Sequence, residues 1–108
     1  MKFVLSQNLY SDMASDKSFQ KLLNKIVKKR PVATGLFLVT KPVFNAGIME
    51  IYDYNELLQP FYRKRKADLN IYGVSSSRAG AREIVKDIIE DAYDALGELD
   101  IEKFFSAG

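Results

Sequence analysis

Cysteine and histidine are both absent from this sequence of 108 residues, and each absence excludes a kind of chemistry. Without cysteine there is no disulfide, no thiolate nucleophile and no sulfur-ligated metal. Without histidine the chain lacks the commonest general base and the commonest transition-metal ligand. Ser-His and Cys-His triads and ordinary zinc sites are therefore excluded.

Long hydrophobic runs are also missing. The first apolar stretch, residues 3–5, stops at Ser6, far short of the apolar segment of a signal peptide. The other apolar stretches are equally short, so we expect no membrane-spanning helix and no membrane partner. These features favour a cytoplasmic protein.

The composition is that of a globular protein, with 47% apolar and 28% charged residues. A chain of this length forms one domain, and its 13 aromatic residues provide material for a core. We expect a single α+β domain over residues 1–108 that ends in a short apolar tail, residues 99–108.

Apolar residues recur at helical spacing between residues 16 and 30 and again between 79 and 96, which predicts two long helices. Pro31 ends the first helix and Gly97 the second. A capping box over 53–56 starts a short helix that Pro60 breaks, and residues 100–105 form a last short helix. The predicted strands are 2–6, 32–40, 48–53 and 68–74, with a connection at 41–47.

The first six elements have the βαββαβ order of the split-βαβ, ferredoxin-like arrangement. We therefore expect a three- or four-stranded, mainly antiparallel sheet with the two long helices on one face and an added C-terminal helix. The first strand and the helix broken by Pro60 are its weakest members, and without either the sheet has three strands.

Charge is distributed unevenly along the chain. Residues 1–66 hold 12 basic and 5 acidic residues, whereas residues 67–108 hold 4 basic and 9 acidic residues. Such asymmetry indicates a polyanionic partner or two halves that attract each other. The acidic helix, in the same chain or in a dimer mate, is the polyanion favoured for the basic half.

A candidate anion site lies where the fourth strand meets the long helix, because the free amides of a helix N-terminus favour negative charge. The alternative is that one serine simply caps the helix, since the Gly-Lys-Ser/Thr end of a phosphate loop is missing. The candidate residues are Ser75, Ser76, Ser77, Arg78 and Arg82.

A basic patch follows the Pro60 break, and a second basic stretch covers residues 28–30. Cations beside Phe61, Tyr62, Tyr52 and Tyr54 are the ingredients of nucleic-acid binding, although solvated basic ends are the simpler interpretation. The patch consists of Arg63, Lys64, Arg65 and Lys66.

The long helix carries acidic residues one turn apart, which repel each other and call for compensation from outside. Salt bridges with the basic half are the favoured source, and a cation held by Glu83, Asp87 and Asp91 is the alternative. We expect no cofactor and no resident metal, and the absence of a catalytic motif argues against an enzyme.

The tail residues Ile101, Phe104 and Phe105 lie on one side of the last helix. They either close the domain's own core or dock on a second copy, because large apolar patches are uncommon on monomers. The sequence thus favours a self-associating interaction or structural module, expected as a homodimer. The alternative is a binder of nucleic acid or a phosphorylated ligand through the basic patch and the 75–82 helix N-terminus.

Overall fold

The structure, a computed structural model, describes residues 1–33, 35–43 and 47–106. Within these ranges the elements are β1 (Phe3–Ser11), α1 (Lys17–Val27), β2 (Phe37–Thr40), β3 (Glu50–Asp53), α2 (Tyr54–Leu57), α3 (Pro60–Arg63), β4 (Leu69–Ser75), α4 (Arg78–Leu96) and α5 (Ile101–Ser106). Thr34 of the predicted strand 32–40 and residues 44–46 of the predicted connection lie outside the described residues. None of the described helices is long and apolar enough to cross a membrane.

The four strands form one mixed sheet in the order β1-β4-β2-β3. β2 runs antiparallel to both β3 and β4, whereas β1 runs parallel to β4. An α+β fold is therefore confirmed, but the sheet is not purely antiparallel. The ferredoxin-like order is not confirmed, because β1 and β3 lie at the edges and the last strand, β4, lies inside.

The two long helices lie on opposite faces of the sheet, which corrects the expectation that both pack on one face. Leu38 and Val39 are neighbours in β2, so their side chains point to opposite faces. Both are fully buried, Leu38 in a core cluster with α1 residues and Val39 in a cluster with α4 residues. Apolar residues on both sides of the inner strands require cover on both sides. We call the two sides the α1 face and the α4 face.

α4 packs closely on the sheet beside a β-bulge in β4. Gly73 pairs with Val39 and Ile71 pairs with Thr40, so Tyr72 is the additional residue on β4. A Cβ atom at Gly73 would lie 2.7 Å from Ile84 Cγ2 of α4. This close helix–sheet contact therefore requires glycine at position 73.

β1 extends to Ser11, five residues beyond its predicted end at Ser6. Residues 3–5 pair with the start of β4, and Tyr10 and Ser11 pair with its later part across an irregular stretch. The polar residues between these two paired stretches belong to the strand because β1 pairs with an inner strand, β4. Their low strand propensity does not predict this.

Three helix boundaries are set by hydrogen bonds and backbone conformation within a few residues. The Asp16 side chain accepts a hydrogen bond from the Phe19 amide at 3.0 Å and begins α1. Ser77 begins α4 in the same way. Gly97 ends it in the left-handed conformation with φ of 71°.

Candidate polyanion-binding face

α1 carries a row of cations on the side that faces away from the sheet. Its apolar stripe packs into the α1-face cluster, where Ile26 is fully buried. The exposed lysines are Lys17, Lys21, Lys25 and Lys28. No acidic residue occurs between residues 17 and 30, so the positive charge has no balancing carboxylate on this helix.

The chain reverses direction sharply at the end of α1. Lys29 is in the left-handed region with φ of 58°, a conformation that is costly for a residue with a side chain. The Arg30 amide donates to the Lys25 carbonyl at 2.9 Å and the Lys29 amide donates to the Ile26 carbonyl at 3.0 Å. This is the hydrogen-bond pattern of a Schellman motif, and it folds Arg30 back over the last turn of the helix.

Tyr54 of α2 fixes this turn from the inside of the molecule. Its hydroxyl donates to the Arg30 carbonyl at 2.7 Å and to the Lys25 carbonyl at 3.1 Å. The ring is fully buried, and this burial raises the pKa of Tyr54 to about 12. The Lys25 carbonyl of the last turn of α1 and the Arg30 carbonyl of the following reversal therefore have hydrogen-bond partners within the protein.

The neighbouring residue Asn55 extends the same clamp. Its side-chain amide donates to the Val32 carbonyl at 3.0 Å, and its side-chain oxygen accepts from the Val32 amide at 3.2 Å. Tyr54 and Asn55 together hold the connection between α1 and β2 in one position.

A small concavity lies on the solvent side of this turn. Its volume is about 210 Å³, and it is lined by Lys21, Asn24, Lys25, Lys28 and Arg30. Four of the five lining side chains are cations and none is acidic.

The predicted basic patch lies on the α1 face. Tyr62, its neighbour in the chain, packs against the α1-face cluster, and Lys64, Arg65 and Lys66 are exposed. The side chain of Arg63 lies outside the part of the chain that the structure describes. We call the exposed cations of α1, Arg30 and these three residues the basic face.

One aromatic ring beside this patch is open to solvent. Phe61 is 66% exposed, and the Arg65 guanidinium carbon lies 5.9 Å from the centre of its ring. By contrast Tyr54 is fully buried and Tyr52 is half-buried, so Tyr54 cannot serve as a stacking surface. Among the rings grouped with the basic stretches from the sequence, Phe61 is the exposed one.

A shallow cavity of about 410 Å³ connects the end of α1 with the start of α3. It is lined by Lys29, Pro31, Asn55, Leu58, Gln59 and Pro60. Lys29, just after α1, and Pro60, next to Phe61 in the chain, therefore border a common depression.

The N-terminus of α4, predicted as an anion site, receives a carboxylate from the chain itself. Ser75 is fully buried, and its hydroxyl donates to Asp12 Oδ2 at 2.7 Å. The Ser77 amide donates to the Ser75 hydroxyl at 3.2 Å. A Cβ atom at Gly80 would collide with both Asp12 Oδ2 and Ser75 Oγ.

The remaining members of that predicted site, Ser76, Arg78 and Arg82, are exposed. The Arg78 guanidinium carbon lies 5.0 Å from the centre of the Phe37 ring. Binding of an external anion here stays a prediction, and such an anion would compete with Asp12.

The acidic side chains of α4 project on the other side of the sheet from the basic face. They are Glu83, Asp87, Glu90, Asp91 and Asp94, all exposed. Asp91 accepts a hydrogen bond from the Tyr10 hydroxyl, and burial together with this bond raises the pKa of Tyr10.

Within the described residues none of these five carboxylates forms an ion pair, whereas Lys41 pairs with Glu102 and Lys103 with Glu98. The described part of the chain also contains no group of three acidic side chains placed to hold a metal ion. The proposed cation on Glu83, Asp87 and Asp91 therefore has no preformed site there.

The tail residues pack against the chain's own α4-face cluster. Ile101 is 6% exposed, and the Phe105 ring stacks on Tyr72 with 4.1 Å between centroids and 6° between planes. Phe104 contacts Phe105 edge to face at 5.3 Å. Of the two roles considered for the tail, this arrangement matches closure of the core, and docking on a second copy stays a prediction.

Several residues of these arrangements were not singled out by their sequence pattern. The spacing of Lys17, Lys21 and Lys25 at i, i+4 and i+8 was a usable signal, since it places all three on one side of a helix. Nothing in the sequence indicates that Asp12 meets Ser75, because the contact joins residues 63 positions apart.

Comparisons of the chain with protein-family models, curated proteins and solved structures found no match.

Proposed function

We propose that this protein is a binding module for single-stranded nucleic acid and that the basic face is its contact surface. One observation carries the proposal. The six cations between Lys17 and Arg30 have no acidic residue among them, and α4, with its carboxylates, lies on the other face of the sheet. A phosphate backbone would therefore meet cations on one side and repulsion on the other.

The chemistry of the basic face suits a strand more than an isolated anion. Lysine and arginine side chains that neutralise phosphates release counterions, which drives association at low salt. Phe61 adds an exposed ring on which a base can stack, beside the Arg65 guanidinium. A duplex, whose bases are already stacked, would leave that ring unused.

Self-association is the second candidate, and the carboxylates of α4, which form no ion pair within the described part of the chain, favour it. The acidic side of one copy and the basic face of another have opposite charge, so two copies can meet through different surfaces. Such a contact is heterologous and extends into longer assemblies unless it closes. Exposed ion pairs contribute little each, which ranks this candidate second.

A titration of labelled single-stranded oligonucleotide at two salt concentrations tests the first candidate. We expect binding at low salt that weakens steeply as salt rises, because the contacts are to phosphates. Light scattering on the same samples without oligonucleotide tests the second candidate, which requires larger species at low salt. An absence of oligonucleotide binding at low salt would exclude the nucleic-acid proposal.

A further inference from the structure

We infer that the concavity lined by Lys21, Asn24, Lys25, Lys28 and Arg30 is a binding site for a phosphate monoester, such as the 5′-terminal phosphate of a nucleic-acid strand. The inference rests on the proposed function, and it assigns the concavity as the site that binds the end of the nucleic-acid strand. A monoester carries close to two negative charges at neutral pH, against one for each internal diester.

The lining side chains converge because of their positions along α1. Residues 21, 24, 25 and 28 are spaced at i, i+3, i+4 and i+7, which places them on one side of the helix. Arg30 joins them because the chain reverses at Lys29 and returns the Arg30 amide to the Lys25 carbonyl. Lys29 keeps its left-handed backbone conformation because the surrounding structure imposes it. The Tyr54 hydroxyl contacts the carbonyls of Lys25 and Arg30, which precede and follow Lys29 in the chain.

The end of a helix normally repels anions, because its last carbonyls carry partial negative charge. At this turn the Lys25 and Arg30 carbonyls accept hydrogen bonds from the buried Tyr54 hydroxyl. The concavity is therefore faced by four full positive charges. The opposing charge is only the partial negative charge of carbonyls that already accept hydrogen bonds from inside the protein. The Asn24 side chain supplies a neutral donor among them.

The size of the concavity matches a single group and not a whole nucleotide. Its volume of about 210 Å³ is below the range of about 300–1,000 Å³ that pockets for larger ligands occupy. The sugar and bases of a bound strand would lie outside, toward the depression that leads to Pro60.

The test compares two oligonucleotides of one sequence, labelled at the 3′ end, that carry either a 5′-phosphate or a 5′-hydroxyl. With the full chain at low salt we expect the 5′-phosphate form to bind about five- to ten-fold more tightly, since the added group brings close to two negative charges to a solvent-exposed cationic site. Inorganic phosphate should reduce this preference when added at constant ionic strength.

Matched variants on one helix locate the effect. Lys25→Gln should remove the preference for the 5′-phosphate. Lys17→Gln, which removes the same charge from the same helix outside the concavity, should weaken both oligonucleotides and keep their ratio.

Equal binding of the two oligonucleotides to the unmodified protein would overturn the inference and leave the proposed function standing. If neither binds at low salt, the proposed function fails, and a titration with inorganic phosphate followed by NMR decides the site. Selective shifts of the amides of residues 21–30 would support the phosphate site alone, and their absence would overturn it.

Discussion

Tyr54 is the residue on which the geometry of the basic face depends most. It is fully buried between α2 and α1, and its hydroxyl is shared by the Arg30 and Lys25 carbonyls on either side of the Lys29 reversal. The single hydroxyl proton has its shorter contact with the Arg30 carbonyl, and the Lys25 carbonyl also accepts from the Arg30 amide at 2.9 Å, so together these bonds set the position of Arg30. A buried acceptor that loses its partner costs more free energy than an average hydrogen bond contributes.

Tyr54→Phe should lower the free energy of unfolding by about 1–3 kcal/mol, because it leaves the Arg30 carbonyl without this donor and does not remove the ring. Urea denaturation at neutral pH measures the change. Tyr93→Phe is the control, since Tyr93 is 50% exposed on α4 and its replacement should be nearly neutral. Equal stability of the Tyr54→Phe variant and the parent protein would contradict the role assigned to this hydroxyl.

The stability of the protein should also fall at high pH. Burial raises the pKa of Tyr54 to about 12 in the folded chain, above the ordinary value of about 10 in the unfolded chain. Between these two values the unfolded chain has released the proton that the folded chain retains. The stabilisation is therefore complete below about pH 10 and is lost as the pH rises toward 12.

This residue contributes a slope of about 1.4 kcal/mol per pH unit in that window. Burial also raises the pKa of Tyr10, Tyr52 and Tyr72, so the slope for the whole protein should be steeper. Urea denaturation between pH 9 and 12 measures it. A slope that is the same in the Tyr54→Phe variant would show that Tyr54 does not contribute.

At the scale of the elements, local signals predicted the helices well and the sheet only in part. Asp16, Ser77 and Gly97 mark helix ends by chemistry that is complete within a few residues. The parallel pairing of β1 with β4 joins segments more than 60 residues apart, and no local pattern specifies it. The same holds for the contact of Asp12 with the start of α4.

The placement of the long helices on opposite faces had a signal in the sequence. Residues 36–39 are all apolar, which predicted a central strand, and a strand that is apolar on both sides needs cover on both sides. The one-face expectation came from the βαββαβ order and not from this segment. The alternation of side chains in β2 predicts helices on both faces, whereas the order of the elements does not.

Gly80→Ala should destabilise the junction of β1, β4 and α4 by about 1–3 kcal/mol, because the added methyl group would collide with Asp12 and Ser75. Thermal or urea denaturation measures the loss. Gly35→Ala is the control, since a Cβ atom there would lie 3.5 Å from its nearest neighbour. In an Asp12→Ala background the cost should be smaller, and an undiminished cost would show that Asp12 does not contribute.

At the scale of the whole molecule, the charge asymmetry along the sequence becomes an asymmetry between the two faces of the sheet. The cations of α1 and residues 64–66 lie on the α1 face, and the carboxylates of α4 belong to the helix that covers the other face. Within the described residues, the ion pairs of Lys41 and Lys103 involve neither the cations of α1 nor the carboxylates of α4. Within the described residues the cations of α1 therefore have no ion-pair partner in α4, which is why an external strand is proposed.

The most direct measurement is the salt dependence of oligonucleotide binding in two charge variants. One replaces Lys17, Lys21, Lys25 and Lys28 with glutamine, and the other replaces Glu83 with glutamine and Asp87 and Asp94 with asparagine. We expect the lysine variant to bind weakly, with a slope of log K against log salt that is shallower by about 2–3, because each lost phosphate contact removes about 0.7. The variant with neutralised α4 carboxylates should keep the slope of the parent protein. An unchanged slope in the lysine variant would contradict the assignment of the basic face as the contact surface.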